Sequence, residues 1–244
     1  MALDQTRLAV LIDADNARSR LVSEILEELA KYGTPTVRRA YGDWGSPHLK
    51  TWRELLNSHA IQPIQQVAYT KGKNATDSAL IIDAMDLLYA GNVDAFAIVS
   101  SDSDFTRLAT RLRESGKTVY GLGEQKTPEA FQKACDRFVF LELLGEAEGP
   151  MTSGIAVPVT TSALPDLRKI LESAVNGASG EDRWAQLSTV GSIISKTHPS
   201  FDPRLYGYAK LVELAEAQTF LDVERPKVGQ PRVRLRSARP RKKP

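Results

Sequence analysis

Carboxylates recur in this chain where they can act together. Asp13 ends the mostly apolar run RLAVLID with Asp15 and Asn16 just after it, and Asp43 follows a second strand-like segment, TVRRAY. Asp77 opens a helical pattern, and Asp102 and Asp104 stand in SSDSDF, at the end of AFAIVS. Carboxylates gathered within about 3–5 Å repel one another unless protons or a cation neutralise them. A hard divalent ion with oxygen ligands, Mg²⁺ or Mn²⁺, is the natural counter-charge. Such an ion keeps several waters, binds substrate phosphates, lowers the pKa of a bound water and stabilises the departing oxygen of an in-line displacement. The pattern suits hydrolysis of a phosphodiester.

Each acid also has a plainer explanation. A lone Asp after a strand is usually a turn former or a helix N-cap. For a single position that explanation wins; for four acids on one sheet edge it loses. Asp77 carries a further clue, because on a helical wheel it shares the face of Leu80, Ile81, Ala84 and Leu88. An acid in a first helical turn gains from the helix dipole, and this one is aimed into the cleft. Asp83 and Asp86 are expected on a solvated flank.

The acids can converge only if the segments before them form one sheet. Arg7–Asp13, Thr36–Tyr41, Ile61–Tyr69, Ala95–Ser100, Lys117–Leu122 and Arg137–Leu141 read as strands. The central ones are continuously apolar, as strands buried on both faces are. Between them, Ser19–Tyr32, His48–His59, Asn74–Tyr89, Asp104–Glu114 and Pro128–Ala134 read as helices, several stopped by glycine. Alternation of this kind predicts a doubly wound, mostly parallel α/β sheet. In such sheets ligands bind beyond the carboxyl ends of the strands, where the acids lie.

Residues 1–144 thus form one domain. Residues 145–165, rich in Gly, Pro, Ser and Thr, read as a linker. In 166–224, Leu167–Ala174, Val190–Lys196 and Tyr208–Glu216 look helical and Thr219–Val223 strand-like, the makings of a winged-helix-like unit. The net charge of +2 conceals a division: residues 1–150 hold 17 basic and 21 acidic residues, 151–226 hold 7 and 9, and 227–244 hold eight basic and none acidic. Residues 225–244 are therefore expected to be a basic, disordered tail that contacts phosphates. The lone Cys135 excludes an internal disulfide and a cysteine-rich zinc site, and three scattered histidines do not make a zinc cage. No apolar run reaches the roughly 18–20 residues of a membrane span, and the N-terminus lacks a signal-peptide pattern; a cytoplasmic protein is expected.

Three stretches together, LIDADN, KGKNATDSALIIDAM and VSSDSDF, resemble the NYN domain, a PIN-like nuclease family, across roughly residues 6–142. TPEAFQKACDRFVFLE is similar to the end of bacterial members. The resemblance implies a PIN-like fold and a Mg²⁺- or Mn²⁺-dependent ribonuclease, with Asp13, Asp77, Asp102 and Asp104 at the metal and Asn16 as the polar residue after the first acid. It leaves Asp15 and Asp43 without a role. WAQLSTVGSIISKTHPSFDPRLYGYAKLVELAEAQTFLDV resembles an OST-HTH (LOTUS) domain, which implies a small winged-helix-like module binding RNA or a protein partner.

Phe201, Tyr206 and Tyr208 interleave there with Arg204 and Lys210, a mixture that can stack bases and hold phosphates. A domain this small also needs its large apolar side chains for its core. Lys71 and Lys73, just ahead of Asp77, are local cations expected to reverse the field of the acidic domain and contact RNA there. The expected partner is RNA, single-stranded or structured; a homo-oligomer is compatible with the pattern. Alternatives are a non-catalytic RNA-binding protein, a DNA-binding regulator and a haloacid-dehalogenase-like phosphatase, whose DxD spacing Asp13-Ala-Asp15 has. Against the phosphatase, Ala17 stands where that family carries Thr or Val, and no Lys-bearing third motif is evident.

Overall fold

A computed structural model describes residues 6–66, 75–145, 166–180, 182–226 and 229–236. The chain divides into two compact units, Met1–Gly149 and Pro150–Pro244. Among the described residues, no helix is long and apolar enough to cross a membrane.

The first unit is built on six strands: β1 (Arg7–Asp13), β2 (Thr34–Gly42), β3 (Gln62–Gln65), β4 (Ala95–Val99), β5 (Thr118–Gly123) and β6 (Arg137–Phe140). They lie in the order β3-β2-β1-β4-β5-β6, and every pairing is parallel. β1 and β4 are the central pair, which explains their lack of polar alternation: Leu8–Ile12 and Ala95–Val99 are fully buried. The chain runs outward from β1 in one direction and from β4 in the other. The crevice beyond their carboxyl ends is the topological switch point, where open α/β sheets hold ligands.

Helices α1 (Val22–Ala30), α2 (Lys50–Leu56), α3 (Ala75–Ala90), α4 (Thr106–Glu114) and α5 (Glu129–Ala134) accompany the sheet. Leu8, Val10 and Ile12 of β1 share one core cluster with Val22, Ile25 and Leu29 of α1 and with Trp52 and Leu56 of α2. Burying one such side chain contributes roughly 1.5–3 kcal/mol. The Trp52 indole also donates to the Ala17 carbonyl at 3.3 Å, tying α2 to the loop that leaves β1.

The second unit contains α6 (Leu167–Ala178), β7 (Ala185–Gln186), α7 (Leu187–Thr197), α8 (Leu211–Glu216), β8 (Leu221–Glu224) and β9 (Arg232–Leu235). Asp166 caps α6, its carboxylate accepting from the Arg168 and Lys169 amides. The small antiparallel sheet has the order β7-β9-β8. Its inner face packs with Ile170, Leu171, Val175, Val190 and Ile194.

Several expectations are corrected. The basic tail does not start at residue 225, because Arg232–Leu235 is a strand. The charge run conceals period-2 alternation: Val233, fully buried, and Leu235 join the core, while Arg232 and Arg234 are paired with acids of β8. Asp83 is not a solvated flank. It binds the Arg39 guanidinium and the Tyr41 hydroxyl, each at 2.9 Å, and so ties α3 to β2. The strand expected over Ile61–Tyr69 ends at Gln65, and Pro63 is tolerated because β3 is an edge strand. The helix expected over His48–His59 is a 3-10 turn, Pro47–Leu49, followed by α2. That expected over Tyr208–Glu216 shortens to α8, preceded by a 3-10 turn at Pro203–Tyr206. Lys71 and Lys73, the end of the third expected strand, residues 146–165 of the expected linker and residues 237–244 of the tail lie outside the described residues.

Candidate metal centre

The central strands deliver the acids. Asp13 is the last residue of β1 and is fully buried. Its carbonyl accepts from the Asn16 and Ala17 amides at 3.2 and 2.8 Å. That turn returns the Asn16 side chain, whose amide donates to Asp13 Oδ2 at 2.7 Å. From the end of β4, the Ser100 hydroxyl donates to the same oxygen at 2.8 Å. Asp13 Oδ1 is buried and has no hydrogen-bond partner among the described residues.

Ser100 also fixes the loop that follows it. Its Oγ accepts the Asp102 amide at 3.1 Å, and Asp102 Oδ1 accepts the Asp104 amide at 2.9 Å, capping a 3-10 turn, Ser103–Phe105. Gly123 permits this arrangement: a Cβ there would come within 2.6 Å of the Ser100 carbonyl oxygen. Asp77 enters from the first turn of α3. Asp77, Asp102 and Asp104 each offer a carboxylate oxygen, and these atoms lie within 4.8 Å of one another.

Three carboxylates this close repel by roughly 1–3 kcal/mol per pair, between the dielectric limits of water and protein. Burial, followed by the charges of Asp13, Asp102 and Asp104, pushes the Asp77 carboxyl up to about 6. Burial also holds Asp13 above its ordinary range, against the lowering effect of the hydrogen bonds from Asn16 and Ser100. A buried carboxylate oxygen without a donor is costly, and hard oxygen donors crowded together are the ligand set for a hard divalent cation. The residues present fit Mg²⁺ or Mn²⁺.

The other acids of the edge are used differently. Asp15 Oδ1 lies 2.9 Å from His48 Nε2, and its Oδ2 accepts from the Thr76 hydroxyl at 3.1 Å. The other His48 nitrogen is 2.6 Å from Ser46 Oγ. Asp43 caps its own turn, accepting from the Gly45 amide at 3.2 Å, and also takes the Gln65 amide at 2.9 Å. Arg18, in the loop after β1, meets Glu124, just beyond β5, at 2.7 Å, and Lys126 joins the same carboxylate at 2.8 Å. Ser100, His48 and the Arg18–Glu124 pair were not singled out from the sequence. Ser100 alone carried a signal, as the last residue of the buried run before the paired acids.

In the second unit, Arg204 donates to both oxygens of the buried Asp202, at 3.0 and 2.8 Å. Tyr206 lies against Phe201 with ring centroids 5.7 Å apart, and burial pushes its hydroxyl up to about 12. Lys210 is exposed at the start of α8.

A parallel sheet of this order with acids at its switch point fits a PIN-like α/β fold. The family model for the NYN domain matches residues 7–142, and that for the OST-HTH/LOTUS domain matches residues 162–233. The chain belongs to the NYN-domain family, a PIN-like nuclease family, and carries an OST-HTH domain, which implies RNA binding. It is similar to an uncharacterised protein of Methanocaldococcus jannaschii, 26% identical over 129 residues, which are 49% of this chain and 48% of that protein. The chain thus spans about half the length of the curated relative it matches. A crystal structure of a protein of unknown function from Vibrio parahaemolyticus covers 57% of this chain and 94% of its own, at 18% identity and a TM-score of 0.48. A solution structure from Chromobacterium violaceum covers 31% of this chain and 85% of its own, at 33% identity and a TM-score of 0.27.

Proposed function

We propose that the protein is a Mg²⁺- or Mn²⁺-dependent ribonuclease, with the metal held by Asp13, Asp77, Asp102 and Asp104. The observation that carries this reading is the carboxylate cluster beside a buried, unpartnered oxygen of Asp13. When bound, the ion supplies charge neutralisation at the phosphate and acidifies a water.

The chain's own groups do the positioning. Asn16 and Ser100 occupy Asp13 Oδ2 and leave Oδ1 as its open ligand atom. The 3-10 cap holds Asp102 and Asp104 together. Arg18, Lys126 and His48 are exposed cationic or protonatable groups on the same sheet edge, suited to phosphates flanking the scissile one. Hydrolysis breaks the bond between phosphorus and the 3′ oxygen, leaving 5′-phosphate and 3′-hydroxyl ends. The OST-HTH domain holds RNA and raises its local concentration at the acidic site.

The test is cleavage of end-labelled RNA with Mn²⁺ by the wild type and by Asp102→Asn. Loss of a ligand should cost about 2–4 kcal/mol of transition-state stabilisation, comparable to losing a major electrostatic contact. Activity undiminished in EDTA overturns the proposal.

A further inference from the structure

We propose that the outer face of β9, together with Trp184, is a binding site for single-stranded RNA. In this site a base takes the place of a guanidinium group over the Trp184 indole, and Arg232, Arg234 and Arg236 hold the phosphates. The inference rests on the reading above only in taking RNA as the ligand.

Alternation along β9 makes the platform. Val233 is buried and sits in register with Ala185 of β7 on one side and Val223 of β8 on the other. The strand is therefore anchored on both edges, and Arg232 and Arg234 stand about 7 Å apart on its opposite face, as period-2 geometry requires. Arg236 follows two residues later. The three side chains remain 43%, 44% and 57% exposed.

Both of the first two guanidinium groups lie over the ring of the half-buried Trp184. The Arg232 and Arg234 guanidinium carbons are 4.7 and 4.6 Å from the centre of its ring. The turn before it is specifically shaped: Arg183 takes φ +62°, a left-handed conformation unusual for a side-chain-bearing residue. Asp182 accepts the Trp184 amide at 3.1 Å. Backbone cost at a turn that presents an aromatic ring is a pattern of ligand-holding sites.

The arginines are already paired, and the pairing is incomplete in charge. Arg232 meets Glu224 at 2.8 Å, while Arg234 and Arg236 share Asp222 at 3.3 and 2.9 Å. Three guanidinium groups thus face two carboxylates. Exposed pairs of this kind contribute little to stability and are screened by salt. Each guanidinium here reaches a single carboxylate oxygen, and a phosphate can replace the carboxylate and engage two N–H groups at once.

The chemistry selects the ligand class. Indole and guanidinium planes accept an unpaired base in a stack. A duplex keeps its bases inside, and an acidic peptide brings charge without a planar ring. The segment around Tyr206 differs in burial: Asp202, the partner of Arg204, is only 8% exposed, against 46% and 30% for Glu224 and Asp222, and Tyr206 packs on Phe201.

The experiment uses the full chain in EDTA, so that binding is read with cleavage silent. Fluorescein-labelled unstructured oligoribonucleotide, the same sequence as a duplex, and an aspartate-rich peptide are followed by anisotropy. Trp184→Ala is expected to weaken single-strand binding about tenfold, the size of one lost base stack. The triple variant Arg232→Gln/Arg234→Gln/Arg236→Gln should flatten the slope of log K against log salt by roughly 2, at about 0.7 per neutralised phosphate on a single strand. Trp184→Ala should leave that slope unchanged. Trp184→Phe keeps a ring: it should bind within about threefold of the wild type. Unchanged affinity and slope in the variants, equal sensitivity of duplex binding to Trp184→Ala, or displacement of RNA by the peptide at equal affinity would each overturn the site. Absence of cleavage in Mn²⁺ would sink the nuclease reading and leave the binding result standing.

Discussion

Ser100 reaches from the end of β4 to the end of β1, donating to Asp13 Oδ2 at 2.8 Å while its oxygen accepts the Asp102 amide at 3.1 Å. One hydroxyl therefore fixes a buried carboxylate and the loop that carries two more acids. Ser100→Ala removes both contacts. Supporting groups of this kind are worth about 10–100-fold in metal affinity or activity. The expected result is a loss of that size in Mn²⁺-dependent cleavage, with a stability cost of about 1–2 kcal/mol in urea denaturation. Wild-type cleavage by this variant would show that Asp13 needs no such support.

Asp77 gives the pH dependence. Its folded-state pKa of about 6 lies above the ordinary 3.8. Between those values the metal-free folded protein binds a proton that the unfolded chain does not. Apo stability should therefore be highest near pH 4 and fall as pH rises through about 6. Asp77→Asn should raise the metal-free stability at pH 7 by on the order of 1 kcal/mol once solvent screening is allowed for, read as a higher melting temperature. The gain should vanish near pH 4. Cleavage at limiting metal should decline as pH drops through about 6, because protonated Asp77 cannot serve as a ligand. Thermal melts and cleavage rates over pH 4–8 check both halves.

Asp83 should behave oppositely. Asp83→Ala strips the partner from the Arg39 guanidinium and the Tyr41 hydroxyl. Leaving such groups unsatisfied costs about 1–3 kcal/mol, so the urea midpoint should drop whether or not metal is present. An unchanged midpoint would show that water replaces the carboxylate freely.

Cys135 should be chemically silent in the folded protein. It is fully buried, and burial pushes its thiol up to about 12. Since thiolates are the reactive species, alkylation by iodoacetamide should proceed only through unfolding, and its rate should rise with urea in parallel with lost structure. Rapid stoichiometric labelling of the native protein would contradict this.

Residues 237–244 carry Arg239, Arg241, Lys242 and Lys243. Removing them should raise KM, flatten its salt dependence and spare kcat, as expected for phosphate contacts without sequence preference. Steady-state cleavage at two salt concentrations distinguishes this from a chain in which the tail contributes nothing.

The sheet was legible because its strands are buried on both faces, so apolarity alone marks them; β1 and β4 were located to within a residue. The placement of Asp13, Asp77, Asp102 and Asp104 at one sheet edge was legible for a related reason, since strand ends and first helical turns are positions that sequence reveals. What escaped was long-range or disguised. Arg39 and Asp83 are 44 positions apart, and nothing local predicts their meeting. Likewise, nothing near Asp15 announces His48. β7 has only two residues, and β9 hid its alternation under a run of arginines. The 3-10 turn at Pro47–Leu49 was read as the start of a helix because the spacing of its apolar residues continues into α2, and the one at Pro203–Tyr206 gave no periodic signal at all.

In the second unit, order along the chain and order in space disagree. β9 follows β7 and β8 in sequence yet lies between them. As the chain is synthesised, α6, α7, α8 and the two outer strands must all emerge before the strand that joins them. Until then the apolar faces around Ile170 and Val190 lack Val233, their shared neighbour in the core. The NYN unit, whose sheet is complete by Phe140, can fold earlier on the ribosome. A nascent chain would thus hold a formed acidic cleft before it has any finished OST-HTH domain, and a translation stop between residues 226 and 232 would leave that cleft tethered to an unclosed helical unit.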